Sequence, residues 1–383
     1  MENMSINKAS VLNSQYIIDG VRYDVPPAIL LGEPAAEQGH ADIVDETMEP
    51  SLATFRYEPA KTEEYISLIA DACEKGVSRP FNMVSPEHFS MLRVAGALVG
   101  MLWKEGHFRL GDLSVRLAWN WDTAAVGNMA AFYRSVESVS GYLYDLGVGI
   151  DGYDVCTDAE ANRFEVSASL VERASAGEEN EDDQFLFKSS PYESRHPWIG
   201  EGRKCPVHAG KDSQDWLVYI PFDPCRFKIG DSLLAWIHGD CNGAAPAMED
   251  PDYFIDCYEV VRELVEDGII IAGTEVAEGG LAAALHRMSA DCGIETDFSG
   301  IASSYQESDA IRILFSEVPG ALVEIADENF DYFDSQMLLQ DVAYYPVGRP
   351  APAKSGVCPG IAGKTDVAGI IASLMEQASE GED

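Results

Sequence analysis

The stretch Ile269-Ile-Ile-Ala-Gly-Thr-Glu-Val-Ala-Glu-Gly-Gly-Leu-Ala-Ala-Ala-Leu-His-Arg-Met288 decides the reading of this chain. Its opening is an unbroken apolar run, and Ile269 to Ala272 is read as a buried strand. Two carboxylates, Glu275 and Glu278, follow at the strand end. Gly279 and Gly280 then open an apolar helix that runs to Met288. A carboxylate so placed is a ligand for a hard cation such as Mg²⁺, and exposed N–H groups at a helix N-terminus meet a phosphate. The same residues have a plainer use, with Glu278 facing the helix dipole and the glycines permitting close packing. Residue types alone favour the plainer use.

Around this core a second unit begins near Asp215. Leu233 to Ile237 reads as a strand, Tyr253 to Glu266 as a helix, Ile311 to Phe315 and Leu322 to Ile325 as strands, and Ser335 to Leu339 as helix. Upstream, Thr62 to Lys75 is a helix stopped by Gly76, and Pro86 to Lys104 is a second closed by Gly106. Leu113 to Trp119 alternates like a strand. Met129 to Leu146 is a third helix ended by Gly147, with strands at Val148 to Gly152 and Phe164 to Val171. Ser51 to Tyr57 is read as another strand. Residues 1–50 read as an acidic arm or early strand with loops. From Ala174 to Trp216 the pattern fails, and the acidic run Glu178 to Asp183 marks a surface excursion. Strands and helices mix without strict alternation, so the fold class is α+β.

The whole chain has 383 residues, 26 Lys plus Arg against 65 Asp plus Glu, and a net charge of −39. Such a chain lacks the basic footprint for nucleic acid and has no attraction to an anionic membrane. Hydrophobic residues are 46% and charged ones 24%, so the charge does not come from a disordered composition. The length suggests two domains. The longest apolar stretches, such as Ala95 to Trp103, are too short to cross a bilayer, and Met1 to Ser5 begins no signal peptide. A cytoplasmic location is therefore expected. Eight cysteines without a C-x-x-C pair read as reduced structural thiols.

The deciding stretch resembles the D-x-S-D-G-G-L segment of the phosphoribosylformylglycinamidine synthases and their aminoimidazole-ribonucleotide-synthase relatives. Cys292-Gly293-Ile294-Glu295-Thr296-Asp297 continues it, and Leu314-Phe315-Ser316-Glu317-Val318-Pro319-Gly320 is similar to the family's L-F-[SN]-E-x-x-G. Gly76 to Leu98, Gly111 to Ser114 and Leu117 to Trp121 resemble the second half of the large synthase, with its G-E-A-L-T-N helix and K-L-S-A-N-W strand. Phe132 to Gly147 resembles the next helix, and Gly152-Tyr153-Asp154-Val155 falls near G-K-D-S. The resemblance covers roughly 50–350.

It implies an aminoimidazole-ribonucleotide-synthase-like, two-domain α+β architecture. The expected parts are an N-terminal arm (1–50), a first domain (51–172) whose sheet pairs into a barrel, a linker (173–214), a second domain (215–350) forming a mixed α/β sandwich, and a tail (351–383) with a short helix at Asp366 to Ala378. It implies cofactor contacts from Glu275, Glu278, Gly279, Gly280, Asp154 and Glu317, with Glu275 the metal ligand. It also implies a homodimer or hetero-complex, since a lone half would expose an apolar sheet face.

The departures from the family matter for activity. The Glu and Asn of G-E-A-L-T-N fall on Gly96 and Gly100, the first-strand Asp has no counterpart between Ser51 and Tyr57, the Ser becomes Ala277, and the Lys of G-K-D-S becomes Tyr153. Losing several anionic ligands together should cripple a Mg²⁺ site. ATP or ADP with Mg²⁺ is thus expected to bind weakly or not at all. No counterpart of the family's first half precedes residue 50. Gly356-Val-Cys358-Pro-Gly lacks the glutaminase pattern, so ammonia release from glutamine is not expected. Two functions follow: a divergent half or subunit that acts with a partner or as a non-catalytic paralogue, or an active ATP-dependent synthase subunit completed by a separate chain. Lesser candidates are set aside. Gly210-Lys211-Asp212-Ser213 lies in the excursion, and Cys205/His208 and His238/Asp240/Cys241 are incomplete metal sets. Trp119, Trp121, Tyr142 and Tyr144 read as packing residues.

Overall fold

The computed structural model describes residues 7–34, 40–49, 55–76, 79–104, 108–171, 203–210, 212–239, 243–289 and 292–351. The predicted strand at Ser51 to Tyr57 lies largely outside them, as do most of the excursion, Gly106, Lys211, Asp240, Cys241 and the predicted tail helix.

The N-terminal segment is more ordered than its sequence suggested. It holds α1 (Lys8–Asn13), β1 (Tyr16–Ile18), β2 (Val21–Tyr23), α2 (Pro27–Leu30) and β3 (Ile43–Asp45). β1 pairs antiparallel with β2 and parallel with β3. Strands of three residues stand only because their apolar side packs on something larger. Tyr16 and Tyr23 lie 4.8 and 5.0 Å from the ring of Tyr133, on a long helix further along.

The first larger layer comprises α3 (Thr62–Glu74), α4 (Pro86–Val99), β4 (Leu113–Asp122), α5 (Asn128–Leu146), β5 (Gly149–Cys156) and β6 (Asp158–Leu170). Gly76 and Gly147 take the positive φ expected of helix-ending glycines, +59° and +68°. The Asp45 carboxylate accepts from the N–H groups of Gly127, Met129 and Ala130 at 2.8, 2.8 and 2.9 Å, so the N-terminal unit supplies the anion at the start of α5. The sheet order is β5-β4-β6, with β5 parallel and β6 antiparallel to β4. Alternate residues of β4 point into the core: Leu113, Val115, Leu117, Trp119 and Trp121 are each 0% exposed. Trp119 and Trp121 pack edge-on to Phe132 of α5, as core residues.

The opposite face corrects the expectation of an exposed apolar sheet. The register puts Arg116, Asn120, Asp154, Arg163, Glu165, Ser167 and Ser169 on it, a polar surface. The sheet has three strands and does not close into a barrel within the described residues.

The second layer comprises β7 (Trp216–Pro221), α6 (Leu233–Ile237), α7 (Pro251–Glu266), β8 (Ile270–Val276), α8 (Gly280–Met288), β9 (Gly293–Thr296), α9 (Ser299–Tyr305), α10 (Ala310–Phe315), β10 (Gly320–Ile325), α11 (Phe330–Leu339) and β11 (Tyr345–Ala351). Its sheet runs β8-β10-β7-β11-β9, every neighbouring pair is antiparallel, and helices pack with it, a mixture of sheet and helices as expected. Ala321, Val323 and Ile325 of β10 join the core that includes α7 and the first layer, whereas Leu322 joins the core of α8 and α10. Tyr65 and Ile69 of α3 belong to that second core.

Two predicted strands are helices. Ser232 Oγ accepts from the Ala235 N–H at 3.2 Å and starts α6; Asp309 Oδ1 accepts from the Ile311 N–H at 3.0 Å and starts α10. Both are short apolar runs, for which periodicity cannot separate strand from helix, and the capping side chain decides. β7, β9 and β11 were not foreseen.

Candidate functional site

The deciding stretch ends at a cavity of about 540 Å³ between α3, α4, α8 and the edge strand β6. Glu275, Ala277 and Glu278 enter it from the end of β8, Arg93 and Gly96 from α4, and Arg79 from the loop between α3 and α4. Its apolar wall includes Phe89, Leu92 and Val166.

Its floor is a closed ion-pair network. Arg79 is 7% exposed and Glu317 5%. Both Nη atoms of Arg79 donate to the Glu317 carboxylate, and Nη1 also donates to the Asp231 carbonyl. Glu317 Oε1 further accepts from the Leu233 N–H at 2.8 Å and the Gly279 N–H at 2.9 Å. A buried charge stands only when paired and hydrogen-bonded in this way. Burial works against the charge on Arg79, but Glu317, Asp231 and Glu278 more than compensate and raise its pKa. Asp231 follows the opposite course. Burial, with Glu317 adding to it, outweighs the pull of Arg79 and pushes its carboxyl up to about 7.

The mouth is looser. Glu278 Oε1 accepts from Arg93 Nη2 at 3.0 Å and lies 3.5 Å from Arg79 Nε, with about a third of its side chain exposed. Burial raises its pKa, but Arg93 and then Arg79 hold it below its ordinary value. Glu275 pairs with Arg287 at 3.6 Å, and Arg287 Nη2 donates to the Glu275 carbonyl at 2.5 Å. Cys73 also lines the cavity; burial and Glu278 push its thiol up to about 11, which leaves it protonated and unreactive.

The two glycines meet strong packing demands. Gly279 and Gly280 have φ of +80° and +65°, and a Cβ on Gly280 would lie 2.7 Å from the carbonyls of Leu314 and Ser316. A Cβ on Gly96 would lie 2.9 Å from that of Ala277, so α4 rests directly on the β8–α8 turn. The N–H that could meet a phosphate at Gly279 meets Glu317 instead.

Of the residues chosen from sequence, Glu275, Glu278 and Glu317 come together in the cavity, and Gly279 adjoins it through Glu317. Asp154 does not join them. It lies on the outer face of β5, 64% exposed, paired with Arg116 at 2.9 Å. The sequence reading overlooked Arg79, Arg93 and Asp231. The one available signal was Arg93, a base inside the apolar run Leu92 to Ala95 of a helix.

The family described as AIR synthase related protein, C-terminal domain, matches residues 230–349. A probable phosphoribosylformylglycinamidine synthase, chloroplastic/mitochondrial, of Arabidopsis thaliana is 22% identical over 310 residues, covering 79% of this chain and 20% of that protein. Phosphoribosylformylglycinamidine synthase of Homo sapiens is 23% identical over 266 residues, covering 68% and 18%. The chain thus spans about a fifth of the length of these relatives. Among solved structures, T. maritima PurL complexed with FGAR aligns at a TM-score of 0.49 and 13% identity, over 76% of this chain and 46% of that one. E. coli HypE, a hydrogenase maturation protein, aligns at 0.44 and 12%, over 70% and 74%. The domain matched over residues 230–349 and the two sequence relatives agree on a relationship of this chain to AIR-synthase-related proteins and phosphoribosylformylglycinamidine synthase.

Proposed function

We propose that the chain is a phosphoribosylformylglycinamidine-synthase-related half or subunit whose cavity no longer carries Mg²⁺-nucleotide chemistry, and which acts with a partner chain or as a non-catalytic paralogue. The observation that carries this reading is the pairing of the cavity's carboxylates. Glu317 is held by Arg79, Glu278 by Arg93 and Arg79, and Glu275 by Arg287. Mg²⁺ needs several oxygens in a near-octahedral set. Each carboxylate is paired with a guanidinium group, and among the described residues no three of them gather as ligands of one ion, so the residues do not fit it. An ATP phosphate without its metal would face Glu275, Glu278 and Glu317 around the same cavity. The division into a first domain, 51–172, and a second, 215–350, belongs to the same reading. So does a homodimer or hetero-complex through the β5-β4-β6 sheet, whose outer strands β5 and β6 are edges among the described residues.

The test is calorimetric titration of ATP and ADP with Mg²⁺ into the full chain. Binding in the millimolar range or none is expected. Micromolar binding that weakens in Glu275→Ala would overturn the reading and favour an active ATP-dependent subunit.

A further inference from the structure

Arg79 is buried, yet its Nε has no hydrogen-bond partner. The carboxylate oxygen that faces it, Glu278 Oε1, is 3.5 Å away in the same cavity. That oxygen is already bonded to Arg93 Nη2 at 3.0 Å. One partly exposed carboxylate therefore serves two guanidinium groups and fully satisfies only one. A buried donor left unpaired is costly and marks a place where a partner belongs. Arg79 and Arg93 both lie against Phe89, with their guanidinium carbons 5.5 and 5.2 Å from its ring centre, so a shared apolar surface holds the two donors side by side.

From this we infer that the cavity binds the carboxylate of a small organic acid between Arg79 Nε and Arg93, displacing Glu278 toward solvent, with the ligand's apolar body against Phe89, Leu92 and Val166. The inference deepens the proposed function, because it rests on the cavity having no Mg²⁺-nucleotide. A monoanion suits the site for a reason of charge. It replaces the single negative charge of Glu278, so the local balance is kept once Glu278 moves out. A phosphate dianion would add a further negative charge beside Glu275 and Glu317. The apolar wall and the volume of about 540 Å³ leave room for a ring or short chain on the carboxylate. The placeholder is suited to its part, since Glu278 is the most exposed of the carboxylates that Arg79 meets, whereas Glu317 is locked by backbone N–H groups.

The test uses the full chain in EDTA at near-physiological salt. Benzoate, acetate, benzamide and inorganic phosphate are the probes, followed by calorimetry or ligand-detected NMR. Benzoate is expected to bind more tightly than acetate, with benzamide and phosphate much weaker. Glu278→Gln should tighten benzoate binding about tenfold by removing the competing charge, and Arg93→Gln should weaken it by about tenfold or more. Arg93→Lys, which keeps the charge but loses the fork, should fall between them, and thermal unfolding of each variant checks its fold. Equal binding of benzamide, tighter binding of phosphate, or a Glu278→Gln variant that binds benzoate no better than the parent would overturn the inference. Failure of the proposed function reads differently. If Glu278 served a Mg²⁺-nucleotide, Glu278→Gln would weaken ATP binding in Mg²⁺, the opposite sign on a different probe.

Discussion

Glu317 at the floor of the cavity and Glu278 at its mouth both meet Arg79, and they differ in what else surrounds them. Glu317 has two guanidinium bonds, two backbone N–H bonds and almost no contact with water. Glu278 has Arg93, a long approach to Arg79 Nε and about a third of its side chain in solvent. The same side chain facing the same arginine is thus a structural tie in one place and an exchangeable partner in the other. What separates them is whether water can replace the arginine. For Glu317 it cannot, because the loop before α6 and the N-terminus of α8 close over the carboxylate.

The largest expected effect follows from that contrast. Glu317→Ala leaves Arg79 charged and buried with no carboxylate on its Nη atoms, and frees the N–H groups of Gly279 and Leu233. Breaking a buried pair in this way costs about 3–5 kcal/mol. Glu278→Ala removes a partly solvated pair, for which about 1 kcal/mol or less is expected. Urea denaturation of both variants measures the two losses. Equal losses would break the distinction between floor and mouth.

The sequence disclosed one side of this arrangement. The run from Ile269 through the two glutamates and two glycines read correctly as strand, turn and helix, because a buried strand, a double glycine and an apolar helix each leave a local signature. Glu317 stood out through its motif. Arg79 did not, because its partner is 238 residues away and nothing near Arg79-Pro80 repeats or alternates. The fold shows the same division. α3, α5 and β4 are long enough for periodicity to declare them. In α6 and α10, five and six residues long, a single capping serine or aspartate outweighs the apolar pattern. β7, β9 and β11 acquire their identity from their neighbours in the sheet. The outer face of β4, β5 and β6 was expected to be apolar by analogy with a barrel wall; its alternate residues are in fact polar, and the register makes that visible.

A second prediction concerns the floor alone. Asp231 has its pKa raised to about 7, first by burial and then by Glu317, against Arg79 and Arg93. In the unfolded chain it titrates near 3.9. The folded protein therefore holds a proton that the unfolded chain releases between those values, and stability falls as pH rises through this window, levelling off above about 7. Asp231→Asn removes the dependence, and Asn tolerates the backbone φ of +67° found at this position. Relative to the parent, the variant should gain roughly 2 kcal/mol on going from pH 5 to pH 8. Guanidinium unfolding at the two pH values reads the difference, and an identical offset at both would remove Asp231 from the floor's titrating groups.

The smallest effect belongs to a pair outside the cavity. Arg116 and Asp154 meet at 2.9 Å on the outer face of the sheet, 58% and 64% exposed. Neither residue lines the cavity, and both are more exposed than Arg93 and Glu278 at its mouth. Arg116→Ala or Asp154→Ala should therefore change the stability of the free chain by only about 0–0.5 kcal/mol. The pair acquires meaning if the β5-β4-β6 face is where a partner sheet docks. Asp154→Arg then sets two like charges side by side on the contact surface, which disfavours association while leaving the fold of each chain intact. Sedimentation equilibrium of the parent and the Asp154→Arg variant separates the cases. A lower mass for the variant at unchanged thermal stability supports docking through this face. An assembly of unchanged mass, or a parent that is monomeric even at high concentration, removes this face as a self-association surface and leaves Arg116–Asp154 an ordinary solvated ion pair.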